Sequence, residues 1–253
     1  MFKKILLFIF LTQITHASEH LEPEDSQFSG RFLEKYIETV LSYLSSAYED
    51  DVEVRLIGLP SFSPEYALGV IAKEKKYYIF YESPEIQLWG YESISSMKRG
   101  LENVKNNKRL LAESKKSLKA LESKYPANPQ DIPRRSCKKE IDKDLAEKII
   151  YIWHEMLLGT RYSREPMVGA DGEMYHFSGV VKNGIGIYAG QIWSPPSDSK
   201  TGKLVKMSSL MSEYCLKGKP ETEKNLVNRV DKLNTELRTS DKSMRSTAKA
   251  SAD

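Results

Sequence analysis

The chain has 253 residues, with 38 Lys and Arg against 35 Asp and Glu, two cysteines and four histidines. A net charge of +3 at pH 7 argues against a protein that binds nucleic acid through its overall charge. The length suffices for one sizeable hydrophobic core or two small ones. No segment after the first apolar run approaches the roughly 20 apolar residues that a membrane-spanning helix needs.

The first 17 residues have the layout of a cleavable secretory signal peptide. Two lysines precede the apolar run Ile5 to Leu11, and Thr15 and Ala17 occupy the two small-residue positions of a cleavage site. The apolar run is too short to span a bilayer, although an uncleaved anchor is the alternative. We therefore expect an exported protein, periplasmic or extracellular, that begins at Ser18 and carries a net charge of +1.

The next part of the chain predicts a helix followed by strands. Residues 31–48 place apolar side chains at helical spacing. From residue 52 the stretches VEVRLIGL, ALGVIA and YYIFY are β-rich, and the charged KEKK between the last two is typical of a hairpin tip. IQLWGY, after a break at Ser83-Pro84, is expected to add a further strand.

Residues 97–124 contain nine Lys or Arg and three Glu around a thin apolar stripe. This pattern predicts a long, basic, mostly exposed helix inserted between the two halves of the domain. Its charges form either a solvated face or a surface that attracts an acidic partner. The candidate partner-binding residues are Lys105, Lys108, Arg109, Lys115 and Lys116.

Cys137 and Cys215 are predicted to form a disulfide, because an even number of cysteines in an exported protein favours pairing. Two free thiols are the alternative. The bond would close a 78-residue loop and stabilise the fold by about 4 kcal/mol. Cys137 is expected to open a helix that ends at Gly159, and Cys215 to lie at the end of another, so that the bond joins two helices.

Residues 171–193, DGEMYHFSGVVKNGIGIYAGQIW, predict a β-hairpin around a two-residue Asn183-Gly184 turn. Counting outward from that turn places His176 opposite Gln191, with Ser178 beside it. On the other face, aromatic residues lie over or diagonal to glycines, which would explain the glycine run by packing. His176 is expected to be a half-buried histidine held by an amide, and a catalytic role is the alternative.

Trp89 and Trp193 each end a predicted strand beside loop residues. Together with His176 and Asp171 they would line a groove for a glycan or a peptide, or both tryptophans would fill the core instead. The sequence has no Gly-x-Ser-x-Gly elbow, no phosphate-binding glycine loop and no zinc-binding His pair at helical spacing. We therefore predict no catalytic residue, no metal and no cofactor.

The sequence as a whole predicts one α+β domain over residues 18–218. An antiparallel sheet from the 52–91 and 173–193 strands is expected to be covered by helices at 31–48, 140–158 and 204–216. Residues 219–253 are expected to form a polar tail, partly helical to disordered, because their apolar stripe is short.

Several stretches between residues 56 and 215 resemble a group of uncharacterised exported bacterial proteins: LPSFSPEYALGV with IQLW, C…IIYIWHEMLLGTR, GADGEMYHF and GQIWSPP. The resemblance implies an envelope location, and because no activity is assigned to that group, it identifies no functional residue. We expect a non-catalytic periplasmic protein that binds another envelope or secreted protein, such as an immunity-type inhibitor of an envelope-targeting toxin. The alternatives are a cell-wall polymer hydrolase with His176 and either Asp171 or Glu173 near its site, and an accessory factor that binds peptidoglycan through Trp89 and Trp193.

Overall fold

The computed structural model describes residues 20–24, 31–162, 171–180 and 186–250. The predicted signal peptide and the Asn183-Gly184 turn lie outside them. The helices are α1 (Arg31–Tyr43), α2 (Trp89–Val104), α3 (Lys108–Glu122), α4 (Lys143–Leu158), α5 (Lys200–Lys217) and α6 (Pro220–Ala250). The strands are β1 (Val52–Pro60), β2 (Tyr66–Lys73), β3 (Lys76–Pro84), β4 (Arg134–Ile141), β5 (Glu173–Val180) and β6 (Ile187–Trp193). None of the described helices is long and apolar enough to cross a membrane.

The strands form one antiparallel sheet in the order β4-β3-β2-β1-β5-β6, so the predicted α+β class is confirmed. β1 lies between β2 and β5, and its Ile57 pairs with His176. Because side chains alternate along a strand, Leu56 points to one face of the sheet while Arg55 and Ile57 point to the other.

The two faces of the sheet are covered to different extents. Helices α4, α5 and α6 cover the face of Leu56 and form the larger core, in which the Trp153 and Phe177 rings meet edge to face with centroids 5.4 Å apart. On the opposite face, α1, a 3-10 turn (Ser45–Tyr48) and α2 cover β1, β2 and β3. No described residue of β5 or β6 belongs to this smaller core, and among the described residues no helix covers the side of the hairpin that lies beside α1.

Residues 20–24 lie along the outer edge of β6. Glu22 and Gln191 exchange backbone hydrogen bonds of 2.8 and 2.7 Å, and Leu21 is fully buried in the larger core. A single apolar residue in a polar stretch carries no periodic signal, so this docking could not be predicted from the sequence.

Two expectations for residues 86–124 are wrong. The predicted strand IQLWGY is not formed, because α2 begins at Trp89 within it. The single helix predicted over 97–124 is divided in two: α3 starts after Asn107, whose side chain accepts a 3.2 Å hydrogen bond from the N–H of Leu110. Asparagine at this capping position favours a new helix start. The basic segment is therefore a pair of packed helices.

The disulfide between Cys137 and Cys215 is present, but the helix expected to open at Cys137 is wrong. Cys137 lies on β4, and α4 begins only after Asp142, whose carboxylate accepts a 2.8 Å hydrogen bond from the N–H of Asp144. β4 is an edge strand rich in charged residues. Such a composition protects a sheet edge but does not give the alternating pattern of a strand. The bond therefore joins a strand to the end of α5.

The segment beyond Gly218 continues the packed domain. Helix α6 packs on α4 and α5. Its apolar stripe is buried in the larger core: Leu226, Val230, Leu233 and Leu237. The domain therefore extends through at least Leu237, beyond the boundary predicted at residue 218. A stripe this short gives little helix stability by itself, and its burial depends on partner helices that the sequence pattern does not identify.

The register predicted for the β5–β6 hairpin is confirmed. Its pairs run from Met174 opposite Trp193, through His176 opposite Gln191, to Val180 opposite Ile187. The expected pairing of aromatic residues with glycines is present, with Phe177 opposite Gly190 and Tyr188 opposite Gly179, but the atoms nearest to these glycines belong to other elements. A Cβ at Gly179 would lie 3.0 Å from the His154 ring, and one at Gly190 would lie 3.0 Å from Leu21. The space that glycine leaves is therefore filled by α4 and the N-terminal segment.

Candidate functional site

A groove of about 1000 Å³ lies between α1 and the open side of the β5–β6 hairpin. Outward-facing residues of β1, β5 and β6 form its floor, and α1 with the start of α2 forms its wall. Most of the lining is apolar or aromatic. The apolar lining includes Ile37, Val40, Leu41, Leu59, Phe62 and Met174.

All four residues predicted for a groove line this one. Trp89, Trp193, His176 and Asp171 contribute to the same surface, and both tryptophans are partly exposed. Trp193 depends on a glycine for its place, because a Cβ at Gly172 would lie 2.8 Å from the indole. Both tryptophans therefore line the groove and also pack against neighbouring residues.

Glu65, which the sequence analysis did not single out, fixes the wall of the groove. Its side chain is fully buried and accepts hydrogen bonds from the N–H groups of Leu88 (2.7 Å) and Trp89 (3.1 Å) at the start of α2. It also accepts a 2.7 Å hydrogen bond from the hydroxyl of Tyr36. The Tyr36 ring in turn meets the Trp89 ring edge to face at 4.8 Å. One carboxylate therefore positions both aromatic rings and caps a helix.

A cation lies on the floor of the groove. The Arg55 guanidinium lies 3.8 Å from the centre of the Tyr48 ring. Burial lowers the pKa of Arg55, and Tyr48 and Glu24 oppose that shift. An arginine nevertheless stays charged. This end of the groove therefore presents a positive charge stacked on an aromatic face.

His176 lies near a carboxylate. Its Nδ1 is 3.5 Å from Oε1 of Glu24, which the docked N-terminal segment brings to the groove. The sequence pattern named Gln191 as the partner and could not have found Glu24. Glu173, a second acid near the predicted histidine site, lies on the opposite face of the sheet, where it accepts a 2.7 Å hydrogen bond from Tyr66. The groove therefore does not bring His176 and Glu173 together.

The five candidate partner-binding residues lie outside the groove lining. Lys105 follows α2, and Lys108, Arg109, Lys115 and Lys116 lie on α3, where all are exposed. Within the described ranges, no three His, Cys, Asp or Glu side chains are arranged to hold a metal ion.

Comparisons of the chain with protein-family models, with curated protein sequences and with solved structures find no match. The resemblance to exported bacterial proteins therefore stays a prediction.

Proposed function

We propose that the protein is an exported, non-catalytic binding protein that holds an apolar segment of a partner protein in the groove. The observation that carries this proposal is the lining of the 1000 Å³ groove, which is mostly apolar and aromatic. A cavity of this size and character suits several apolar side chains with a few polar groups to orient them. Sugar hydroxyls would require many more polar partners.

The disulfide and the predicted signal peptide support a periplasmic location, because disulfides persist in oxidising compartments. The partner is then another envelope or secreted protein. An immunity-type inhibitor of an envelope-targeting toxin is one form of this function.

Site-specific photo-cross-linking in the native envelope tests the proposal. A photoreactive amino acid is placed at Leu41, 39% exposed on the groove, or at Leu158, 61% exposed on α4, as the matched control. We expect a discrete protein adduct from Leu41 alone, and its loss when Ala189→Trp fills the groove floor. The cross-linked segment, made as a peptide, should bind the purified protein and change its tryptophan fluorescence. Equal adducts from both positions, or an adduct that Ala189→Trp leaves unchanged, would contradict the proposal.

The presence of Trp89 and Trp193 in one groove favours a second candidate, an accessory factor that binds peptidoglycan by stacking sugars on aromatic faces. Sedimentation of the purified protein with isolated sacculi tests it. We expect sedimentation to decrease in Trp193→Ala if this candidate is correct. Sedimentation of the variant at the wild-type level would remove it.

A further inference from the structure

The exposed side of α3 carries a basic strip, defined as Lys108, Arg109, Lys115, Lys116 and Lys119. At 3.6 residues per turn these side chains fall within an arc of about 120° and extend over about 17 Å. The apolar side of the helix, with Leu118 only 8% exposed, faces the other way and packs in the α2–α3 pair. The strip is therefore a single surface.

Little negative charge opposes the strip. Arg109 pairs with Glu113 at 3.1 Å, whereas the four lysines of the strip make no ion pair with any residue that the structure describes. Residues 97–124 carry a net charge of +6 in a mature chain of predicted net charge +1, so the rest of that chain carries −5. The positive charge of the protein is thus concentrated on this helical pair.

We propose that the basic strip binds an acidic surface on the partner protein whose apolar segment occupies the groove. This inference rests on the proposed function and adds the chemistry of the partner, which carries both an apolar segment and a cluster of Asp and Glu. Complementary charge at such a surface raises the association rate and selects against partners of like charge.

The structure favours a protein partner over a membrane or a nucleic acid. A helix that lies on a membrane inserts its apolar face into the lipid, and the apolar side of α3 is already packed against α2. Its one large exposed apolar side chain, Leu110, lies outside the strip. Single-stranded nucleic acids are held by aromatic stacking as well as charge, and α3 contains no aromatic residue.

Charge reversal with a matched control tests the inference. The strip variant combines Lys108→Glu, Lys115→Glu and Lys116→Glu, and the control combines Lys206→Glu, Lys224→Glu and Lys232→Glu on α5 and α6, all at exposed positions. Both variants change the net charge equally. We expect the rate of adduct formation from Leu41 to fall about tenfold in the strip variant and to stay unchanged in the control. In the wild-type protein, the rate of adduct formation from Leu41 should decrease as the salt concentration rises from about 50 mM to about 500 mM.

Binding of the purified variants to poly-L-glutamate and to phosphatidylglycerol vesicles separates the two proposals. We expect the strip variant to lose binding to poly-L-glutamate while the control keeps it. If this result is obtained but no adduct forms from Leu41, the groove proposal fails and the strip is retained as an acid-binding surface. Where an adduct does form from Leu41, equal rates of its formation in both variants overturn the inference. Equal binding of poly-L-glutamate by both variants, or preferential binding of the vesicles, also overturns it.

Discussion

Glu65 shows how much of the groove depends on one residue. It lies in the loop between β1 and β2, in the stretch SFSPEYAL, where a charged residue is expected to be solvated. Instead its buried carboxylate accepts three hydrogen bonds from the start of α2 and from Tyr36. Charge-assisted hydrogen bonds of this kind offset the cost of burying a carboxylate. The position of Trp89 in the groove therefore depends on a residue outside the groove lining.

Replacing Glu65 with alanine should lower the free energy of unfolding by about 3 kcal/mol, because two backbone N–H groups and a hydroxyl lose their acceptor. Urea unfolding followed by fluorescence measures the loss. Glu38→Ala, at an exposed position on α1, is the matched control and should change stability by less than about 0.5 kcal/mol. Equal effects of the two substitutions would show that the carboxylate does not support α2.

Tyr66 links stability to alkaline pH. Burial raises its pKa well above the ordinary value of 10.0, and the nearby Glu173 raises it further. Above pH 10 the unfolded chain releases the Tyr66 proton, whereas the folded protein keeps it. The contribution of Tyr66 to the free energy of unfolding is therefore fully present below pH 10 and is lost as pH rises beyond it. Between about pH 10 and 11.5, Tyr66→Phe should reduce the loss of stability by about 1.4 kcal/mol per pH unit. Unfolding measured across this range checks it, with Tyr162→Phe, 72% exposed, as the control. An unchanged slope in Tyr66→Phe would contradict the assignment.

Elements with a strong local pattern could be predicted from the sequence. The apolar periodicity of α1 and α4 and the alternation in β1 to β3 indicated both their type and their place. Counting outward from the predicted Asn183-Gly184 turn gave the observed register of β5 and β6. Trp193 lies at the end of a strand as predicted, whereas Trp89 lines the groove from the start of α2 and not from the end of the predicted strand.

The elements that were missed depend on tertiary contacts. β4 is recognisable only once it pairs with β3, and α2 starts at Trp89 because a distant carboxylate caps it. The N-terminal segment reaches the groove through one buried leucine and one backbone pairing. Asn107, which caps α3, was the one local signal that could have predicted the division of the basic segment into two helices.

Helix α6 is expected to be required for folding. A chain that ends at Gly218 would expose the apolar sides of α4 and α5 that now contact Leu226, Val230, Leu233 and Leu237. A chain that ends at Thr239 keeps all four leucine and valine side chains and is the matched control. We expect cooperative urea unfolding for the longer chain and its loss for the shorter one. Cooperative unfolding of the chain that ends at 218, with unchanged midpoint, would show that α6 is dispensable.

At the scale of the whole molecule, the two faces of the sheet differ in how they are packed. The larger core on the side of α4, α5 and α6 contains the disulfide half-cystine Cys215 and most of the buried apolar residues. The opposite face has a smaller core and the groove. Stability is thus concentrated on one side of the sheet, and the proposed binding surface lies on the other.

This division predicts that the disulfide can be removed without loss of binding. Its 78-residue loop spans α4, the hairpin and α5, so Cys137→Ser with Cys215→Ser should lower the free energy of unfolding by about 4 kcal/mol through the entropy of the unfolded chain. The folded variant should bind the cross-linked partner peptide with wild-type affinity, because the bond lies on the face away from the groove. Urea unfolding and peptide titration measure the two effects, and reduced wild-type protein serves as the control. A variant as stable as the wild type would contradict the predicted stabilisation by the disulfide. A variant that is folded but no longer binds the peptide would show that the two faces are not independent.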